Sequence, residues 1–252
     1  MHLHIHPNAR VLGETAGKEA AALLRTAIAS RNSANLILAT GASQFITLET
    51  LVAAQGIDWS KVTAFHLDEY IGLPITHKAS FRRYIQERFV SKVGKLAQLH
   101  LINGETILSD ELRRLNEAIT DRPIDVALVG IGENGHLAFN DPPADFKTEQ
   151  PYIVVDLDDA CRRQQLGEGW FRSLHEVPLK AISMSVQQIL KSKHIICSVP
   201  DSRKAKAVCC ALAEAVSNRC PASILQQHAE CHLHLDEESA SLLPDHIKSL
   251  AQ

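Results

Sequence analysis

Two acids stand side by side in Phe65-His66-Leu67-Asp68-Glu69-Tyr70, at the end of an apolar run. Adjacent side chains on extended backbone point to opposite sides, so one acid can face a cleft while the other is solvated or paired. A carboxylate at that point serves as a general base if burial or neighbouring charge tunes it. Taken alone, a solvated loop acid is the plainer reading.

A second segment reads Gly130-Ile-Gly132-Glu133-Asn134-Gly135-His136-Leu-Ala-Phe-Asn140-Asp141-Pro142-Pro143. Its GxGxxG directly follows an apolar strand, so a dinucleotide site has to be weighed. That use needs a helix running on from the third glycine to present its N-terminus to pyrophosphate. Pro142 and Pro143 would stop such a helix early, and the motif falls midway along the chain. The glycines are better read as permitting close backbone approach to a small ligand. His136 then stands in the pocket, with Asp141 in reach to orient it, and an imidazole so held moves protons near neutral pH. No nucleotide or other cofactor is expected.

Thr40-Gly41-Ala42-Ser43 follows another apolar run and opens a helical pattern. Free N–H groups at a helix start suit an anion, although the Walker lysine and spacing are missing. An ordinary strand–helix turn with Ser43 as N-cap is equally open. Positive charge for a phosphate must come from elsewhere, with Arg162, Arg163, Arg203, Lys204 and Lys206 as candidates. Each opens a helical run, where a cation opposes the macrodipole unless an anion shares the site.

The elements that must position these groups alternate between strand and helix patterns. Helical spacing covers Ala9–Ser30, with Asn8 as N-cap, and then 44–54, 80–89, 109–119, 161–171, 185–191 and 203–216. Strands are expected at 3–5, 35–39, 62–67, 99–102, 125–129, 152–157, 181–184, 194–198 and 231–235. Strands apolar on both faces and separated by helices predict a three-layer α/β fold: a mostly parallel sheet with helices on both faces. No linker or repeat divides the chain, so 1–252 reads as one domain. Ligands of such sheets bind outside the carboxyl ends of the strands, which is where all three segments lie.

The net charge of −3 and 22% charged residues supply no broad basic surface for nucleic acid. No apolar run approaches the roughly 20 residues that span a bilayer, and the N-terminus lacks the features of a signal peptide. A cytoplasmic location is expected, with the six cysteines as free thiols. His2, His4 and His6 alternate at strand spacing, and His232 and His234 repeat the pattern beside Cys231. No carboxylate or thiolate stands at a recognised ligand spacing from them, so no metal is expected.

Taken in order, the three segments resemble the glucosamine-6-phosphate deaminase/isomerase family, kin to the 6-phosphogluconolactonases. Thr40-Gly41-Ala42-Ser43 is similar to the family's TGGTP or TGGSP loop. Phe65-His-Leu-Asp68-Glu69-Tyr70-Ile-Gly72-Leu-Pro74 resembles F-x-x-DEY-x-GLP, and Gly130–Pro142 resembles G-x-G-x-[DN]-GHIAFNEP. Lys204-Ala205 is similar to a KA pair at a helix start, and Arg162 to an arginine after a T-L-T-x-x-T run. The resemblance covers nearly the whole chain and implies the fold shared with ribose-5-phosphate isomerase A and coenzyme A transferases.

It also implies roles. His136, positioned by Asp141 and neighboured by Asn134, would shuttle a proton as the pyranose ring opens. Asp68 would carry the C2 proton to C1 through an enediol-type intermediate, and ammonia would leave C2 to give fructose 6-phosphate. Thr40, Gly41, Ala42, Ser43, Arg162 and Lys204 would hold the phosphate. The partner is thus a small-molecule sugar phosphate; self-association into a homo-oligomer is compatible with the family, without a nameable interface.

The chain departs from the pattern at several points. Ala42 replaces a glycine, Gln44 a proline, Asp141 a glutamate and His66 an asparagine; Trp170 and Leu166-Gly-Glu-Gly are also unusual. A lactone hydrolase, needing His136 but no C2 base, and a non-catalytic sugar-phosphate sensor remain the alternatives.

Overall fold

The computed structural model describes residues 1–251. Strand β1 (His2–His6) leads into α1 (Ala9–Arg31). Asn8 caps this helix by accepting from Val11 N, and Asn32 ends it in the left-handed region at φ 59°. Next come β2 (Ala34–Leu38), α2 (Phe45–Ala53), β3 (Val62–His66) and β4 (Asp68–Tyr70). Then follow α3 (Phe81–Ile85), a π-helical turn at Gln86–Val90, α4 (Ser91–Val93), β5 (Gln98–His100) and α5 (Leu108–Ile119). The middle of the chain supplies β6 (Val126–Val129), β7 (Tyr152–Asp156), α6 (Asp159–Gly167) and β8 (Lys180–Met184). It closes with α7 (Val186–Leu190), β9 (His194–Val199), α8 (Ala205–Ala213), β10 (Cys231–Asp236) and α9 (Asp245–Lys248).

Seven strands form a parallel sheet in the order β1-β10-β9-β6-β2-β3-β5. Its two faces carry separate cores, as period-two alternation requires. Leu36, Leu38, Val126 and Leu128 pack with Leu24 of α1, Leu48 of α2 and Phe89. Ile37, Ala127 and Val129, one residue out of step, pack with Leu115 of α5, Val186 of α7 and Val208 of α8. This is the expected three-layer α/β architecture.

The sheet is not the whole of the β-structure. β4, β8 and β7 form a second, antiparallel sheet. The strand expected at 62–67 therefore ends at His66. Leu67 N still donates to Leu38 O in the main sheet, while Leu67 O accepts from Met184 N beside the small one. The chain crosses between sheets at this residue, and Asp68 is the first residue on the far side.

Several helices differ from their expected bounds for local reasons. The expected 161–171 helix starts earlier, because Asp158 caps it by accepting from Cys161 N, and it ends at Gly167. The 80–89 helix widens into the π turn. The 203–216 helix begins as a tight turn at Ser202–Lys204 and stops at Ala213. Among the described residues, no helix is long and apolar enough to cross a membrane.

Candidate active site

Four adjacent strands, β9, β6, β2 and β3, deliver their carboxyl ends to one cleft of about 230 Å³. Its lining includes Thr40–Ser43 after β2, Leu67 and Asp68 after β3, Gly130–Gly132 and His136 after β6, and Arg203 and Lys204 after β9. The small sheet and α6 complete it through Phe139, Gln164, Gln165 and Glu168. The cleft lies at β2, from which the chain builds β3 and β5 on one side and β6, β9 and β10 on the other, the switch point at which such sheets bind ligands.

The turn after β2 places its left-handed residue at Gly41, φ 97°, and not at position 42. Ala42 therefore sits where a Cβ causes no backbone strain, which answers the loss of the family's second glycine. Gln44, where the family has proline, is buried, and its amide N–H group donates to Val129 O and Ser198 O. It ties the loop to the ends of β6 and β9. Ser43 is part of the tight turn, not a side-chain N-cap.

The adjacent acids separate as their alternation requires. Asp68 lines the cleft. Glu69 points the other way and accepts from Tyr70 N, Phe81 N, Arg82 N and the Ser80 hydroxyl, with Arg82 Nε at 3.4 Å. Burial raises the Glu69 carboxyl, and these N–H and O–H donors partly offset that. Among the described residues, Asp68 has no such donors. Burial first, and the Glu69 charge second, push it up to about 8. His66, the departure just before it, is wholly buried, and desolvation takes it down to about 3.

His136 is held by the turn around it. Its backbone N–H donates to Asn134 Oδ1, and Asn134 Nδ2 donates to Asp141 Oδ1. The second Asp141 oxygen accepts from Asp158 N at 3.0 Å. His136 Nδ1 lies 3.0 Å from Asp141 Oδ1, with the ring N–H direction off the line between them. The shorter aspartate thus reaches the imidazole without ideal alignment. Burial raises Asp141, but His136, Asn134 and Asp158 outweigh it and leave the carboxyl below its usual range. Asn134 and Asp141 stand behind the imidazole rather than in the cleft wall. No helix follows Gly135; the chain instead turns through Ala138, φ 52°, with Leu137 bridged to Asn140. The geometry required for a dinucleotide site is missing.

The two expected cations part company. Lys204 is 6% exposed and lines the cleft, and among the described residues its ammonium has no hydrogen-bond or ion-pair partner. Burial lowers its pKa, against the opposing pull of Glu168 and Glu133. Arg162 lies outside the cleft wall. Its guanidinium donates to Leu174 O and Val177 O and pairs with Asp159 at 3.1 Å. Arg162, expected to hold the phosphate, is thus not brought to the cleft wall with Lys204, and loop carbonyls take up its donors. Arg203 is the second cation of the wall, paired with Asp201 at 2.8 Å and Glu133 at 3.5 Å.

Sequence reasoning also missed Gln164, Gln165 and Glu168. Gln165 accepts from Tyr70 OH, and Gln164 accepts from Glu133 N while donating to Glu168. The only available signal was their place beside Arg162 in a helix now known to flank the cleft.

A model of the glucosamine-6-phosphate isomerases/6-phosphogluconolactonase family matches residues 7–233. A glucosamine-6-phosphate deaminase of Shouchella clausii (strain KSM-K16) is 35% identical over 91% of this chain and 94% of its own length. One of Bacillus thuringiensis (strain Al Hakam) is 32% identical over 89% and 84%. A solved monomeric glucosamine-6-phosphate deaminase superposes with TM-score 0.87 at 31% identity, over 96% of this chain and all of that one. A 6-phosphogluconolactonase of Shewanella baltica OS155 shares the fold, with TM-score 0.76 at 19% identity over 94% and 97%. On the extent of these matches, the chain belongs to the glucosamine-6-phosphate isomerase/6-phosphogluconolactonase family.

Proposed function

We propose that the chain converts glucosamine 6-phosphate and water to fructose 6-phosphate and ammonia. The observation that carries this reading is that a buried carboxyl, Asp68, and an unpartnered buried ammonium, Lys204, open into the same cleft as His136. Lys204, Arg203 and the N–H groups of Thr40–Ser43 would take the phosphate dianion. Fixing that remote group sets the sugar's C1 and C2 against the carboxylate, where positioning lowers the barrier.

His136 would accept and return the proton that moves as the pyranose ring opens to the aldehyde. Ionised Asp68 would then remove the proton on C2 and return it to C1. The intermediate is the nitrogen counterpart of an enediol, since C2 bears the amine. Protonation at C1 leaves a C2 iminium; water adds there, ammonia departs, and the C2 ketone remains. A carboxyl raised to about 8 is mostly protonated in the free protein at neutral pH. The substrate's C2 ammonium, arriving beside it, favours the ionised form the reaction needs.

The names of the relatives above 30% identity favour deamination over lactone hydrolysis. So does a carboxyl at position 68 in the cleft, for which lactone hydrolysis has no use. The free thiols suit a reducing compartment such as the cytoplasm. The test is coupled release of ammonia and fructose 6-phosphate across a panel of phosphorylated amino sugars, with 6-phosphogluconolactone alongside. Acid release from the lactone above the spontaneous rate, without ammonia from any amino sugar, would reject the proposal. Tight binding without turnover would make the chain a sensor.

A further inference from the structure

Away from the cleft, the parallel pairing of β1 with β10 sets His2 opposite His232 and His4 opposite His234. The alternate residues Leu3, Ile5, Leu233 and Leu235 face the core on the other side. The imidazoles consequently stack on one face, at 4.6 Å for His2–His232, 4.8 Å for His4–His234 and 5.3 Å for His6–His234. Helix α1 crosses this face and brings Glu19 to it. One Glu19 oxygen lies 2.7 Å from His232 Nδ1, the other 3.0 Å from His234 Nε2. A sequence search for ligand spacing could not find this carboxylate, since it comes from a helix that only the fold lays over the strands.

We propose that His4, Glu19 and His234 bind a first-row transition-metal dication of the zinc class. Their donor atoms lie within 4.8 Å of one another. Donors at roughly 2.1 Å around a tetrahedral ion stand about 3.4 Å apart, a difference that side-chain rotation can close. Two imidazoles and a carboxylate form a borderline-soft set that suits zinc, cobalt or nickel rather than calcium or magnesium. His234 is fully buried, and its Nδ1 sits 3.1 Å from His6 Nε2. With Nε2 on the ion, Nδ1–H donates to His6, the outer hydrogen bond that orients a ligating imidazole. For Nε2 to reach the ion, the His234 ring carries its proton on Nδ1, and the ion takes the place of the Nε2 contact with Glu19; no electron moves. The neighbouring His2, Glu230 and His232 group is looser, with Glu230 51% exposed and 3.9 Å from His232 Nε2.

The ion clips the edge strand β1 to α1 and β10, so its readout is independent of any reaction in the cleft. The experiment is equilibrium dialysis of the full chain against zinc, with cobalt absorption spectroscopy and thermal melts. We expect one zinc per chain, cobalt bands without thiolate charge transfer, and a melting temperature raised by zinc. His4→Asn and Glu19→Gln, both on partly exposed positions, should each weaken binding by at least the roughly 10–100-fold that loss of an outer partner of a ligand costs, with circular dichroism unchanged, while His2→Asn should not. No zinc retained, retention unaffected by both variants, or a thiolate band that places the ion at Cys161 would each overturn the proposal.

Discussion

The imidazole of His136 occupies the space a side chain at residue 132 would need: a Cβ built on Gly132 would come within 2.2 Å of His136 Cε1. The second glycine of the GxGxxG thus serves a histidine rather than a nucleotide. Gly132→Ala should drive the ring off its Asp141 contact. Because a misplacement of about 1 Å costs on the order of 10²-fold, kcat should fall by roughly that factor. KM should change little, and steady-state assay of ammonia release checks both.

Asp68→Asn keeps the shape and removes the base. Ammonia release should fall by roughly 10²–10⁴-fold, and wild-type kcat/KM, which reports the free enzyme, should climb with pH until about 8. The same variant should be the more stable protein. Asp68 is raised on folding from 3.8 to about 8, so the folded state holds its proton more tightly than the unfolded chain between those values. Its contribution to stability is complete below the unfolded pKa and is lost as pH rises through the folded one. Melting temperatures of Asp68→Asn and wild type should therefore diverge from pH 4 to pH 8 and agree at pH 3. An Asp68→Asn protein that melts below wild type at pH 8 would contradict this.

Glu69 raises Asp68 by its charge and is itself held by four donors and Arg82. Glu69→Gln should move the rising limb of the pH profile to lower pH. Glu69→Ala should be destabilising by about 1–3 kcal/mol, because it takes the acceptor from the buried N–H groups of Phe81 and Arg82, while the Arg82 guanidinium keeps Glu105 at 2.7 Å. Denaturant titrations and pH–rate curves of the two variants separate these effects.

Lys204 and Arg162 should respond differently. Lys204→Met should raise KM for the phosphorylated sugar by roughly 10²-fold, taking about 2–3 kcal/mol for a charge-assisted contact, and should abolish competition by inorganic phosphate. Arg162→Gln takes away the guanidinium that donates to Val177 O and, beside Val177 N, to Leu174 O, so it should chiefly lower the melting temperature. Equal losses of phosphate affinity in both would mean that Arg162 swings into the cleft when substrate binds.

Much of this was legible one residue at a time. Asn8 and the periodicity behind it marked α1 to within a residue at either end. The segments after the strands that form β2, β3 and β6 stood out because polar, glycine-bearing stretches interrupted apolar ones. The separation of Asp68 from Glu69 followed from extended backbone alone, and the prolines after Gly135 ruled out a dinucleotide helix correctly. The second sheet was not legible: β7 and β8 read as members of the main one, since a strand's pattern does not name its neighbour, and β4 was not read as a strand at all. Nor could sequence foresee that Arg162 turns to Leu174 and Val177, or that Gln44 secures the ends of β6 and β9.

By itself, then, the sequence determined the local events: where strands and helices run, which residues cap them, and which chemical groups sit just past strand ends. Those depend on side-chain periodicity and backbone sterics over a few residues. Only the tertiary structure decided which groups share a space. The crossing at Leu67 turns Asp68 into the cleft, four loops from across the chain meet there, and α1 brings Glu19 to the histidines of β1 and β10. Such meetings, and the desolvation that sets each group's affinity for a proton, arise from packing between segments far apart in the chain, and no short-range pattern encodes them.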